Sequence, residues 1–129
     1  MDKIAAFQNF FMQFLPAYEE HSIYSAPTKP NYPYITYEGI FSRFNSDVMA
    51  STSCTFSTWY REAGWSNAVA KTAEISRAIP YSGLKIPCDE GVIIIKAESD
   101  PFGRRMGDES DDLIKRTVHT INVTFFTIH

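Results

Sequence analysis

The chain has 129 residues, 44% hydrophobic, 15% aromatic and 21% charged, with a net charge of −3 and a pI near 5.5. That length supports one domain spanning 1–129 with a real core and no need of staples, and the acidic balance excludes nucleic-acid binding driven by net charge, which requires a basic face. No apolar run approaches bilayer-spanning length, and the opening MDKIAAFQNFF lacks the basic, continuously apolar and small-residue parts of a signal peptide, so the expected site of synthesis and residence is the cytoplasm.

The first element is a helix. Ile4, Phe7, Phe11, Phe14 and Tyr18 recur at steps of three and four, and Phe10 and Leu15 widen the stripe. The pattern predicts a helix over about 2–15, with room to continue past Pro16 toward Glu20. SAPTKPNYP, with three prolines, follows as an extended linker, so 1–33 reads as helix plus Pro-rich linker.

From Tyr34 the period becomes two. YITYEGIF places Ile35, Tyr37 and Phe41 on one side of a strand, with Gly39 a bulge or close-approach point, and RFNSD turns the chain. STSCTFSTWY sets Cys54, Phe56 and Tyr60 against Ser51, Ser53, Thr55 and Ser57, as in an antiparallel hairpin wet on one face. REAG breaks that strand. A second helix follows, capped by Ser66 or Asn67, with Ala68, Val69, Thr72, Ile75 and Ile79 buried and Pro80 as its stop. LKIP is a short strand or connector and CDEG a turn. GVIIIKA is a central strand rich in β-branched residues, and the last strand, about 117–126, turns Ile121, Val123 and Phe125 inward. The predicted fold is therefore α+β: a four- to five-stranded, mainly antiparallel sheet with two helices on one face, in the order α-β-β-α-β-β.

ESDPFGRRMGDESDD, residues 98–112, separates the last two predicted strands and reads as an extended acidic loop. It carries six acids and two bases, a net of −4, so with −3 for the whole chain the remainder sums to +1. A long loop in a compact domain is usually functional or disordered. Its carboxylates suggest Mg²⁺ or Ca²⁺, but the spacing matches no EF-hand, since no central Gly and no closing Glu stand in a twelve-residue frame. Phe102, Arg104, Arg105 and Met106 are instead the residue types that protein interfaces favour, with acids at a solvated rim. The expected role is an arm reaching a neighbouring subunit.

No phosphate-binding Gly-rich loop, nucleophile elbow or metal-binding His pair is present. His119 has no evident nucleophile to serve and reads as a packed or interface histidine. Cys54 and Cys88 are too few for a disulfide framework and form no CxxC pair, which predicts two reduced thiols. No catalytic residue, cofactor or metal is expected.

Three segments resemble the tail terminator (tail completion, or tail-to-head joining) proteins of long-tailed bacteriophages and prophage-like particles. YPYITYEGIF is similar to that family's first strand after an N-terminal helix and Pro-containing linker. TFSTWYREAGWSNAVAKTAEISRAI is similar to its second strand and long helix, and GVIIIKAESDPFGRRMGDESDDLIKRTVHTINVTFF to its closing strands and intervening loop. The match lies in length, element order and hydrophobic pattern. It implies a virion protein that is not an enzyme: a ring, usually of six copies, that caps the tail tube, joins it to the head–neck connector, and lets DNA pass without specific binding. A ring needs two unlike patches that meet head to tail. The expected patches are the 98–112 arm, anchored by Phe102, Arg104, Arg105 and Met106, and an aromatic edge at Trp59, Tyr60 and Trp65. The competing readings are another neck or minor capsid protein, a metal-dependent hydrolase or nuclease using the 98–112 carboxylates, and a small-ligand module lined by Tyr34, Tyr37, Trp59 and Trp65.

Overall fold

The structure, a computed structural model, describes residues 1–20, 31–38, 49–98, 101–107 and 111–127. In chain order these form α1 (Lys3–Met12), β1 (Ala17–Glu19), β2 (Tyr34–Tyr37), β3 (Met49–Arg61), α2 (Ser66–Ala78), β4 (Leu84–Cys88), β5 (Gly91–Ala97), β6 (Gly103–Gly107) and β7 (Ile114–Thr127). The predicted four- or five-stranded α+β layout is wrong. The described residues make a mostly β protein: seven strands in a curled, half-barrel sheet with two helices. Strand order is β1-β2-β3-β7-β5-β4, and β6 also lies beside β7. Among the described strands only β1 and β2 run parallel, and every other pair is antiparallel.

Each added strand has a local cause. Proline lacks an N–H and clashes with the carbonyl four residues back. Pro16 is four residues after Met12, where α1 ends, so the chain extends as β1 rather than continuing the predicted helix. LKIP becomes β4 because it pairs with β5 from Leu84 opposite Ile95 to Cys88 opposite Gly91. The predicted 98–112 loop contains β6 because β7 is long. β5 covers β7 only from Thr127 to Ile121, and β6 takes the remainder, from Gly103 opposite His119 to Gly107 opposite Lys115.

The core lies on the concave face. β3 is paired with β7 along the whole of β3, from Met49 opposite Phe126 to Arg61 opposite Ile114, with Cys54 opposite Ile121 and Phe56 opposite His119. Strand alternation therefore puts Cys54, Phe56, Ile121, Val123 and Phe125 on one side, all buried. Ile35 and Tyr37 of β2 and Ile93 and Ile95 of β5 join them, and Phe7, Phe11 and Ile75 from the helices close the same cluster. Phe11 stacks on Tyr37 at 4.5 Å between ring centres. Full burial of such a side chain contributes roughly 1.5–3 kcal/mol. Asp2 caps α1 by accepting the Ala5 N–H at 2.8 Å.

α2 departs from its expected details. Its N-cap is Trp65, with no side-chain cap bond, rather than Ser66 or Asn67. Ala68, Ile75 and Ile79 are buried as expected, but Val69 is 47% exposed. Gly39, Phe41, the RFNSD turn and most of the Pro-rich linker lie outside the described residues. Both cysteines are free: Cys54 is buried, Cys88 half-buried. Burial pushes the Cys54 thiol up to about 12.

Candidate functional site

The residues expected to form one projecting arm are distributed by strand geometry. In β6 the side chains alternate, so Arg105, opposite Thr117, shares the face of His119. Arg104 and Met106, opposite Val118 and Arg116, share the convex face. Adjacent in sequence, the two arginines serve different surfaces. On the concave side the Arg105 guanidinium lies 5.4 Å from the centre of the Trp65 ring, and the Lys115 ammonium lies 5.8 Å from it. A cation over an indole face is attracted by the ring quadrupole, by roughly 0.5–1 kcal/mol where the cation is exposed, as Arg105 is. The Lys115 ammonium also donates to the Asp112 carbonyl.

On the convex side Met106, 44% exposed, stands opposite Arg116. The Arg116 guanidinium lies 4.7 Å from the Trp59 ring centre and donates to Ser57 Oγ at 3.1 Å. Trp59 donates its indole N–H to Thr36 Oγ1 at 2.9 Å and stacks on Tyr34 at 5.9 Å. The two patches expected from sequence are thus regrouped. Trp65 belongs with Arg105, while Trp59 belongs with Met106 and Arg116. Tyr60 is buried, and burial pushes its phenol up to about 12.

Phe102 points inward rather than outward. Its ring lies 5.0 Å from His119 and 6.1 Å from Phe56, and Phe56 stacks on His119 at 4.6 Å. The imidazole is fully enclosed, with Nε2 at 2.9 Å from Thr72 Oγ1 on α2 and Nδ1 without a hydrogen-bond partner. Burial pushes its pKa down to about 4, offset only in part by the Phe56 backbone. The imidazole is therefore neutral at neutral pH. Thr58 and Thr117, directly opposite one another, also have buried hydroxyls without partners. A polar seam runs between α2 and the sheet, which the alternating sequence pattern did not reveal. Gly103 is what lets β6 approach it: a Cβ there would fall 2.7 Å from Thr72 Cγ2 and 3.0 Å from Thr117 Cγ2.

Two of the described acids of 98–112 have protein partners for their carboxylates. Glu98 accepts from Ser53 Oγ at 2.9 Å. Asp111 accepts the Leu113 N–H at 2.9 Å and pairs with Arg61 at 3.4 Å. Asp100, Asp108 and Glu109 lie outside the described residues. Among the described residues no group of three or more His, Cys, Asp or Glu side chains is arranged to hold a metal ion, and no helix is long and apolar enough to cross a membrane. The aromatics proposed to line a ligand site diverge: Tyr37 is in the core beneath Phe11, while Tyr34 and Trp59 are on the convex face.

A groove of about 600 Å³, unforeseen from sequence, lies where α2 meets the end of β3, lined by Tyr32, Tyr60, Glu62, Lys71, Glu74 and Arg77 among others. Much of its charge is internally paired. Lys71 binds Glu74 at 2.7 Å, and Asn67 donates to Glu62 at 2.6 Å. No protein-family model matches the chain, and no curated protein is significantly similar to it.

Proposed function

We propose that the protein is a structural virion component: a ring-forming tail terminator that caps a tail tube and joins it to the head–neck connector. Its partners on this reading are further copies of itself, a hexamer, together with a tail tube protein and a connector protein. DNA passes through the ring without specific contacts. One observation supports an assembly role above the others. β6 exposes Arg104, Arg105, Met106 and Gly107 along an edge that no described strand covers, and an uncovered edge is a template for pairing with another chain. The sequence resemblance supplies the particle in which such an assembly works. The fold correction adds three strands to the element order behind that resemblance and leaves its closing pair, β5 and β7, in place.

The test is sedimentation and negative-stain imaging of the purified protein, alone and with tail tubes. Rings with a central channel that seat on tube ends are expected. Rings that bind only a connector assign the protein to another part of the neck. A 14.7 kDa monomer that hydrolyses nucleic acid or phosphate esters with Mg²⁺ or Mn²⁺ would overturn the structural role in favour of an enzyme.

A further inference from the structure

The two ends of the sheet differ, and the difference fits them to each other. At one end β7 is flanked by β5 and β6 in line, but only β5 carries a further strand. β4 runs beside β5 as far as Leu84, opposite Ile95. The residue before it, Gly83, has φ +103° and closes a turn by donating its N–H to the Pro80 carbonyl at 2.8 Å. This positive φ turns the chain away before it reaches β6, so the strand position beside β6, in line with β4, is open among the described residues. At the other end β1 is the last strand, and no described strand pairs with its outer edge.

We infer that β1 of a second copy of this chain fills the open position beside β6, so that the sheet continues from subunit to subunit. The inference rests on the assembly reading above and names the contact that builds it. Strand polarity fits. β6 is antiparallel to β7, β7 to β3 and β3 to β2, while β1 is parallel to β2. Within one copy β1 therefore runs opposite to β6. Rotation about a ring axis preserves direction along that axis, so the next copy's β1 meets β6 antiparallel, the pairing with the better hydrogen-bond geometry. It also runs in the same direction as β4, whose row it extends.

Side-chain chemistry fits as well. β6 brings two arginines in five residues, and the chain from Ala17 to Glu20 brings two glutamates. In β1, Glu19 is opposite Tyr37 on the concave side and Tyr18 is opposite Thr36 on the convex side. A sheet continued with its concave face kept inward sets the next copy's Glu19 toward Arg105. It also sets the exposed Tyr18 beside Arg104 and Met106. A charge pair forms on one face and an aromatic contact with a cation and a thioether on the other. The contact is head to tail: β6 gives the basic edge and β1 the acidic one. Such a contact closes rings, whereas a β6-to-β6 pairing would set like charges against each other and stop at a dimer.

The experiment combines charge reversal with cysteine cross-linking, read by sedimentation and denaturing electrophoresis. Arg104→Glu/Arg105→Glu is expected to fall from the ring mass to that of a monomer while keeping its circular dichroism. Tyr18→Cys/Met106→Cys, in a Cys88→Ser background, is expected to give an oxidised ladder of several subunits, and neither cysteine alone should do so. Rings of unchanged mass in the double Glu variant, with no ladder from the cysteine pair, would overturn this pairing and leave the ring itself standing. Dimers cross-linked by Met106→Cys alone would overturn it in favour of β6-to-β6 contact. A wild type that stays monomeric at every concentration would overturn both this contact and the assembly role.

Discussion

Replacing His119 with Gln tests the buried seam quantitatively. In the folded chain the imidazole is enclosed by Phe56, Phe102 and α2, with its pKa pushed down from 6.5 to about 4. The unfolded chain regains the ordinary value, so between the two pH values the unfolded state binds the extra proton. Stability from this group is therefore fully present above about pH 6.5 and is lost as pH falls toward 4. Linkage over that interval gives a total near 3 kcal/mol, of which about 2 kcal/mol is already lost between about pH 8 and pH 5. Urea unfolding is the assay. With a slope of about 1.5 kcal/mol per molar, wild type should lose roughly 1 M of midpoint across that range. His119→Gln should be less stable at high pH, since the stacking on Phe56 is lost, but nearly flat in pH, since glutamine offers Thr72 a hydrogen bond and does not titrate. Parallel pH profiles for the two proteins would refute a neutral, buried imidazole.

Three further substitutions probe other parts of the structure. Ile121→Ala removes a fully buried side chain beneath the helices and should cost about 2–5 kcal/mol; a melting temperature equal to that of wild type would reject the β3–β7 register. Gly103→Ala forces a methyl group against Thr72 and Thr117; a loss of about 1–3 kcal/mol in chemical denaturation is expected, and a neutral result would place β6 farther from α2. Asp111→Asn weakens one exposed ion pair with Arg61 and should change stability by no more than about 1 kcal/mol; loss of a metal-dependent activity in this variant would count against the structural role of the carboxylates.

The parts of the fold that were legible are those whose own residues repeat at a structural period. Cys54, Phe56 and Tyr60 alternate with serines and threonines, and that alternation predicted the buried face of β3 correctly. Ile121, Val123 and Phe125 did the same for β7, and the phenylalanines of α1 for its packing face. β1 and β6 carry no such signal. AYE is too short to show a period, and GRRMG contains two glycines and two arginines, none of them strand formers. Both are strands because a neighbour has unpaired backbone to satisfy: β2 for one, the lower half of β7 for the other. Val69 was misplaced for a related reason. The buried stripe of α2 is the narrow one through Ala68, Ile75 and Ile79, and a residue about 100° around from Ala68 falls outside it.

The candidate interface residues show the same division between local and nonlocal information. Residue type marked Arg104, Arg105 and Met106 as candidate anchors, and all three are exposed, but it did not show that the arginines would face opposite ways or that Trp65, forty positions earlier in the chain, would lie under one of them. That contact depends on α2 starting where β3 ends, and on β6 being drawn against β7. The polar seam accounts for how an edge strand of glycines and arginines is held against β7. Phe102 anchors its entry against Phe56 and His119, Gly103 admits α2's Thr72 to van der Waals distance, and His119 ties Thr72 to the strand that β6 pairs with. Phe102 and three side chains from β3, β7 and α2 thus fix the start of β6 from the inside, while no described strand covers its outer backbone edge. An exposed edge fixed in this way has already lost most of the conformational freedom that docking would otherwise remove. The seam's cost in unpartnered hydroxyls and its gain in a preorganised edge belong to the same arrangement.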